Sequence, residues 1–105
     1  MTATAFEALA DPTRRRVVEL LAERERTAGE LASAFTVSRP AVSRHLRVLR
    51  EAGLVRWRGE AQTRVYSLDP EPLDELDRWI RSLRRFWPER LDDLEQHLER
   101  SRKEI

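Results

Sequence analysis

The sequence has no cysteine, and it has only three glycines and two histidines among its 105 residues. The absence of cysteine excludes disulfide bonds and thiolate ligands for a metal ion. The sequence contains no glycine-rich loop that could cradle a phosphate group, and no nucleophile is paired with a base in a pattern typical of enzymes. We therefore expect a protein that is not an enzyme and needs no cofactor.

Long apolar runs are also missing, as is the pattern of a signal peptide at the N-terminus. Charged residues make up 37% of the chain and apolar residues 40%, which is typical of a soluble globular protein. The length suffices for one domain with a modest core. We therefore expect residues 1–105 to form a single cytoplasmic domain that has no contact with a membrane.

Positive charge is concentrated in the middle of the chain, although the net charge is only +1. Residues 38–64 contain seven arginines and two glutamates, whereas acidic residues outnumber basic ones on both sides of this segment. A local excess of arginine suits the phosphate groups of a nucleic acid. The middle third is therefore predicted to carry a binding surface.

Residues 38–53 have the signals of a short helix. Ser38 suits the N-cap, because its hydroxyl can accept a hydrogen bond from the first turn, and Pro40 suits that turn. Gly53 suits the left-handed residue that ends many helices. Apolar residues recur on one face at helical spacing: Val42, Leu46 and Leu49.

The other faces of this helix carry polar residues: Arg39, Ser43, Arg44 and Arg47. No acidic residue occurs among them before Glu51. A solvated amphipathic helix usually mixes charges of both signs, so this pattern favours a helix that enters the major groove of DNA.

Three further helices are predicted upstream. The first covers residues 4–10, with Phe6 and Leu9 as its apolar anchors. The second begins at Asp11, which suits an N-cap before a proline. The third begins at Thr27, with a capping box completed by the glutamate three residues later. Only a tight turn separates it from the arginine-rich helix, so the pair is predicted to form a helix-turn-helix.

After this helix-turn-helix, apolar and polar residues alternate with a period of two residues. Residues 54–58 and 63–68 are strand-like, and residues 59–62 connect them into a hairpin. A basic hairpin in this position is typical of a wing. Three of its side chains are placed to reach a DNA backbone or minor groove: Arg58, Gln62 and Arg64. The alternative is a plain hairpin that closes the domain.

A long final helix is predicted over residues 71–100. Its apolar stripe consists of Leu73, Leu76, Ile80, Leu83, Trp87, Leu91, Leu94 and Leu98, widened by Trp79 and Phe86. The stripe keeps its phase through Pro88, which favours one kinked helix over two, although an interior proline costs about 3 kcal/mol. A stripe longer than one small domain can cover usually marks a partner surface.

Four segments carry a shared pattern: Asp11-Pro-Thr-Arg-Arg-Arg16, Ala28-Gly-Glu-Leu-Ala32, Ser38–Val55 and Tyr66-Ser-Leu68. Together they resemble the ArsR/SmtB-type winged-helix repressors of bacteria over about residues 4–87. The resemblance implies a homodimer that binds a pseudo-palindromic operator in double-stranded DNA and usually represses transcription.

The predicted fold is therefore mainly α (α+β), a winged helix-turn-helix in the order α-α-α-α-β-β-α. Its DNA-binding core covers residues 11–68, and the terminal helices, residues 4–10 and 71–100, serve dimerisation. By position, the family's reading helix meets DNA at Ser38, Arg39, Ala41, Ser43, Arg44 and Arg47, and its wing corresponds to residues 59–64. The expected dimer interface consists of Phe6, Leu9, Leu73, Leu76, Trp79, Ile80, Leu83, Phe86 and Trp87.

Metal-sensing members of that family use cysteines on the third helix or aspartate and histidine pairs on the last. Here the third helix reads Glu30-Leu-Ala-Ser-Ala34, and the last helix holds Asp92, Asp93 and His97. One histidine on an acidic helix is more typical of a solvated face, so we expect no metal site. The resemblance is closest to a metal-independent, autorepressor-like branch. His45, in the reading helix, is expected to be structural or to contact a phosphate.

Two other functions are compatible with the sequence. A small apolar ligand could gate the repressor by binding at Trp79, Phe86 and Trp87, although dimer packing is the commoner use of such rings. A winged helix could also have lost DNA binding and serve as a protein-interaction module. The arginine-rich middle third argues against that second alternative.

Overall fold

The computed structural model describes residues 2–86 and 94–100, with side chains described for residues 4–85 and 94–100. Its elements are α1 (Thr2–Leu9), α2 (Pro12–Glu23), β1 (Arg26–Thr27), α3 (Ala28–Ser33), α4 (Arg39–Glu51), β2 (Val55–Glu60), β3 (Thr63–Leu68) and α5 (Glu71–Phe86). Residues 94–100 are also helical. The predicted winged helix-turn-helix is confirmed, with β1 as an additional strand that the sequence did not predict.

The chain divides into two compact units, Met1–Asp74 and Glu75–Ile105. The first unit holds α1 through β3 and the first turn of α5. The second holds the rest of α5 and the helical residues 94–100. No helix among the described residues combines the length and the hydropathy that crossing a bilayer requires.

The core of the first unit is built from aliphatic side chains of successive elements. The largest fully buried ones are Val17, Leu31, Leu49 and Leu54. The predicted apolar face of α4 is confirmed, because Val42, Leu46 and Leu49 are all buried. Since this apolar face is packed in the core, the other faces of α4 point away from the core in fixed directions.

Local capping bonds begin α2, α3 and α4 where the sequence predicts. The carboxylate of Asp11 accepts from the backbone N–H three residues on, at 3.0 Å. Thr27 and Glu30 form both bonds of the capping box. The hydroxyl of Ser38 accepts from the N–H three residues on, at 3.3 Å. Gly53, with φ of 78°, follows α4 in the left-handed conformation expected of it.

The packing of α1 differs from the prediction. Its buried residues are Ala5 and Ala8, while Phe6 is 41% exposed and Leu9 is half-buried. The prediction that the two larger residues anchor this helix is therefore wrong, because small side chains let α1 lie close to its neighbours. Two arginines at the start of α2 donate to carbonyl oxygens at the end of α1. They satisfy acceptors that a helix C-terminus otherwise leaves free.

The sheet has the strand order β1-β3-β2, and both pairs are antiparallel. β2 runs two residues further than predicted and ends at Glu60, whose partner in β3 is Thr63. The connection therefore shrinks to Ala61 and Gln62, and Ala61 has φ of 56°. β1 contains two residues, too few to show an alternating pattern, so the sequence does not reveal it.

α5 carries both buried and exposed apolar residues. Leu76 is buried, whereas Trp79 is 47% and Ile80 is 44% exposed. Leu94 and Leu98, in the later helical segment, are also exposed. Several predicted features lie outside the described residues: the kink at Pro88, the stripe positions Trp87 and Leu91, and the side chain of Phe86.

Candidate nucleic-acid interface

α4 exposes most of the residues predicted to contact DNA. The exposed ones are Ser38, Arg39, Ser43, Arg44 and Arg47, while Ala41 is half-buried. Because the helix backbone sets the direction of each side chain, these residues project from a rigid element. The helix begins at the Ser38 cap, so the partial positive charge of its N-terminus lies beside Ser38 and Arg39.

Neighbouring acids do not neutralise the guanidinium groups of α4. Within the part of the chain that the structure describes, none of the four arginines of α4 forms an ion pair or a side-chain hydrogen bond: Arg39, Arg44, Arg47 and Arg50. By contrast, Arg14 and Arg15 of α2 donate to carbonyl oxygens, and Arg16 pairs with Glu19 at 3.2 Å. The α4 arginines thus keep their charge and their donors for a ligand.

An open groove of about 460 Å³ lies between α4 and β3. Arginines from both elements line it: Arg44, Arg47, Arg50 and Arg64. Its other lining residues include Ser43 and Tyr66, and none of the lining residues is acidic. A concave surface lined by charge of one sign attracts the opposite charge, so this groove suits an anionic backbone.

Arg39 lies apart from this groove. Its Nη2 atom would be 3.9 Å from a Cβ atom placed on Gly29, beside the first turn of α3. It lines a smaller groove of about 150 Å³ between α3 and α4, together with Ala28 and Ala32. Arg39 and Arg44 therefore line different grooves, although Ser43 and Leu46 line both.

Arg58 and Arg64, the two wing arginines predicted to contact DNA, lie on opposite faces of the hairpin. In the ladder Arg64 is opposite Gly59 and Arg58 is opposite Val65, and alternate residues of a strand point to opposite faces. Arg64 shares the face of the buried Tyr66 and lines the groove beside α4. Arg58 is on the other face.

Two carboxylates engage Arg58. Its guanidinium lies 2.6 Å from Glu25 and 3.2 Å from Glu60. The hydrogen bond to Glu25 raises the pKa of Arg58 above its ordinary value. These carboxylates offset the charge of Arg58 on the face opposite the groove, and the contact of Arg58 with DNA stays a prediction. Gln62, the third predicted wing residue, is exposed in the turn.

His45 connects α4 to the start of α2. Its Nδ1 atom lies 3.3 Å from the guanidinium of Arg14 and 3.8 Å from the carboxylate of Asp11. Because a guanidinium only donates, a hydrogen bond between these two side chains requires Nδ1 to accept. Of the two roles expected for His45, the structural one fits these contacts.

Residues 11–56 match a family model described as bacterial regulatory protein, arsR family. The HTH-type transcriptional regulator Rv2034 of Mycobacterium tuberculosis is 52% identical over 84 residues, which cover 75% of this chain and 78% of that one. The transcriptional repressor SdpR of Bacillus subtilis is 36% identical over 75 residues, covering 71% of this chain and 83% of that one. The chain belongs to the ArsR family.

Solved structures of ArsR-family proteins share the fold. A crystal structure of the ArsR family transcriptional regulator RHA00566 has a TM-score of 0.77 and 30% identity, over 83% of this chain and 90% of that one. This chain is thus a DNA-binding transcription regulator with a winged helix, and it is not an enzyme, as the sequence predicts. The segment matched to the family spans the helix-turn-helix and ends in β2.

Arg50 also lines the groove of this candidate interface, although the sequence pattern did not single it out. It lines the groove with Arg47, which lies three residues earlier on the same side of α4. The three-residue spacing is visible in the sequence. The sequence does not reveal that β3 lies beside Arg50. Only the tertiary arrangement makes Arg50 part of the groove.

Of the three side chains considered as metal ligands in the sequence, only His97 belongs to the described residues. Among those residues, no group of three or more His, Cys, Asp or Glu side chains is close enough to hold a metal ion. His97 is exposed in the helical segment 94–100. Asp92 and Asp93 lie outside the described residues.

Proposed function

We propose that this protein is a homodimeric repressor of its own or adjacent genes, which binds a pseudo-palindromic operator and has no metal-sensing site. The observation that carries the proposal is the set of exposed arginines on α4 that no described acid neutralises: Arg39, Arg44, Arg47 and Arg50. Like charges on one short helix repel one another, and the phosphates of a duplex offset that repulsion.

The first half of α4 is proposed to read base edges. Ser38, Ala41 and Ser43 have short side chains, which let the helix approach the floor of the major groove. Arg44 is long enough to donate two hydrogen bonds to a guanine. These residues carry the specificity in this proposal.

The groove between α4 and β3 is proposed to hold a phosphate backbone. Arg47 and Arg50 line it from the helix, and Arg64 lines it from the wing. Phosphate contacts fix the register of a protein on DNA without reading sequence. Arg47, Arg50 and Arg64 therefore supply affinity and orientation.

The dimer is proposed to form through the terminal helices, as the sequence predicts. Each of the two units presents apolar side chains at its surface: Phe6 in the first, and Trp79 and Ile80 in the second. A two-fold axis would set two copies of α4 about 34–36 Å apart, the spacing of successive major grooves on one face of DNA.

Selection from a library of randomised DNA duplexes tests this function. The purified wild-type chain should enrich an inverted repeat whose half-sites lie about one helical turn apart. The same repeat should occur upstream of a gene that the protein represses in a reporter assay. Binding of two chains per duplex, measured by sedimentation, supports the dimer, and enrichment of no sequence contradicts the proposal.

The metal-free part of the proposal has its own test. Protein purified without a histidine tag should hold no stoichiometric metal, and added zinc should not release the selected duplex. Release by zinc would contradict this part, and His97 would then be the first ligand to replace.

A further inference from the structure

Trp57 supports the guanidinium of Arg64 on the wing. The Cζ atom of Arg64 lies 4.2 Å from the centroid of the Trp57 ring, the geometry of a cation–π contact. Trp57 is opposite Tyr66 in the ladder, so it shares the face that lines the groove beside α4. Trp57 is 38% exposed, so its ring is accessible beside the groove.

The ladder explains why Trp57 makes this contact. The residue directly opposite Arg64 is Gly59, which offers no side chain, and nothing lies within 4 Å of the position of its absent Cβ. The diagonal neighbour on the same face is Trp57, and an aromatic ring is long enough to reach a diagonal position. The glycine thus leaves room for Arg64 to lie across the tryptophan.

An aromatic ring and a carboxylate hold an arginine with different consequences. Glu25 and Glu60 fix Arg58, but they also occupy its donors and neutralise its charge. A ring below the guanidinium plane restricts rotation, while the N–H groups at the edge of the plane stay free. Within the described residues no carboxylate pairs with Arg64. Its guanidinium is therefore positioned by the ring and keeps its charge and its hydrogen-bond donors.

We infer that Trp57 is a positioning residue for DNA binding, which holds Arg64 beside α4 so that its guanidinium meets a phosphate of the duplex. The inference rests on the proposed function and specifies how the wing takes part in it. Trp57 acts through Arg64 and not by its own contact with DNA. Without the ring, Arg64 samples many rotamers, and ordering it on binding costs affinity.

A double-mutant cycle tests this inference. The affinities of wild type, Trp57→Leu, Arg64→Gln and the double variant are measured by fluorescence anisotropy, with the duplex that wild type selects as probe. Trp57→Leu should weaken binding about two- to fivefold in the presence of Arg64. In the Arg64→Gln background the same change should have no effect.

Two further variants separate positioning from a structural role. Trp57→Phe retains a ring face and should recover much of the affinity that Trp57→Leu loses. Arg58 lies on the opposite face of the hairpin. In the Arg58→Gln background, Trp57→Leu should therefore weaken DNA binding by the same factor as it does alone. A general weakening of the hairpin would instead appear in every background and would follow the urea midpoint of each variant.

The possible failures are distinct. An equal loss from Trp57→Leu with and without Arg64 would overturn the inference, since Trp57 would then touch DNA or support the fold. No loss in either background would overturn it as well. A wild-type chain that selects no duplex would instead overturn the proposed function, and this inference with it.

Discussion

Ala61 adopts a backbone conformation that suits glycine better than alanine, with φ of 56° in the tight turn of the wing. Ala61→Gly should raise the free energy of unfolding by about 0.5–1 kcal/mol, because the left-handed conformation costs an L residue about 1–2 kcal/mol and the freer unfolded chain offsets part of the gain. Urea denaturation measures the change. Gly53, with φ of 78°, is the matched control, and Gly53→Ala should destabilise. A lower free energy of unfolding in Ala61→Gly would contradict the left-handed conformation of residue 61 in the turn.

Asp11 should make stability depend on pH. The backbone N–H of Arg14 donates to its carboxylate and holds the pKa of Asp11 below its ordinary value. A lowered pKa in the folded state means that the stabilisation is complete above the unfolded value of about 3.9 and is lost as pH falls through the folded value.

Replacing Asp11 tests this dependence. Asp11→Ala should lower the free energy of unfolding by about 1 kcal/mol near neutral pH, as the loss of an N-cap side chain typically does. In acid the decrease should be smaller. Asp77→Ala is the control, because Asp77 forms only an exposed pair with Arg81. A loss that stays constant from neutral to acid pH would contradict the role of the carboxylate.

Single residues were predictable from the sequence where their partners are close in the chain. Asp11, Thr27 and Ser38 cap their helices through N–H groups three residues away, so the signal lies within one turn. Arg58 shows the opposite case. Its partner Glu25 is 33 residues away, and only the sheet brings the two together. Composition alone could not separate this neutralised arginine from Arg64.

At the scale of elements, the wing should bind DNA through one face only. Arg64→Gln should flatten the dependence of the logarithm of affinity on the logarithm of salt concentration by about one unit, because one phosphate contact is lost. Arg58→Gln should leave that slope unchanged, since Glu25 and Glu60 already neutralise Arg58. Anisotropy titrations over a salt series give both slopes. Equal effects of the two variants would contradict the division of the hairpin into two faces.

Elements with strong periodicity and caps were predicted well, and those defined by pairing were not. The 3.6-residue spacing of Val42, Leu46 and Leu49 predicted the buried face of α4. β1 is a strand only because Arg26 and Thr27 pair with β3, and two residues contain no periodicity. In α1 the buried residues are Ala5 and Ala8, whereas Phe6 is exposed and Leu9 is half-buried, so apolar size alone did not identify the buried face.

At the scale of the whole molecule, dimerisation should depend on the apolar residues of α5. Ile80 is 44% exposed within the chain, so Ile80→Asp should leave each chain folded. A carboxylate buried without a partner in an interface is strongly unfavourable, so sedimentation should show a monomer and operator binding should be lost.

Arg78→Asp is the matched control for this experiment. Two residues before Ile80, Arg78 lies on nearly the opposite side of a helix with 3.6 residues per turn. The control introduces the same carboxylate and should leave the dimer intact. An Ile80→Asp protein that remains dimeric and binds its operator would place the two-fold axis elsewhere.

If α4 reads DNA through arginines that are not paired with acids among the described residues, the affinity of Arg44→Gln for the selected duplex is the most direct test. If Arg44 reads a base edge, the variant should lose about 1–3 kcal/mol of binding free energy and discriminate less at one base pair. Arg16→Gln, which removes an arginine paired with Glu19 on α2, should bind like wild type. Equal affinity of wild type and Arg44→Gln, or an equal loss in Arg16→Gln, would contradict the account.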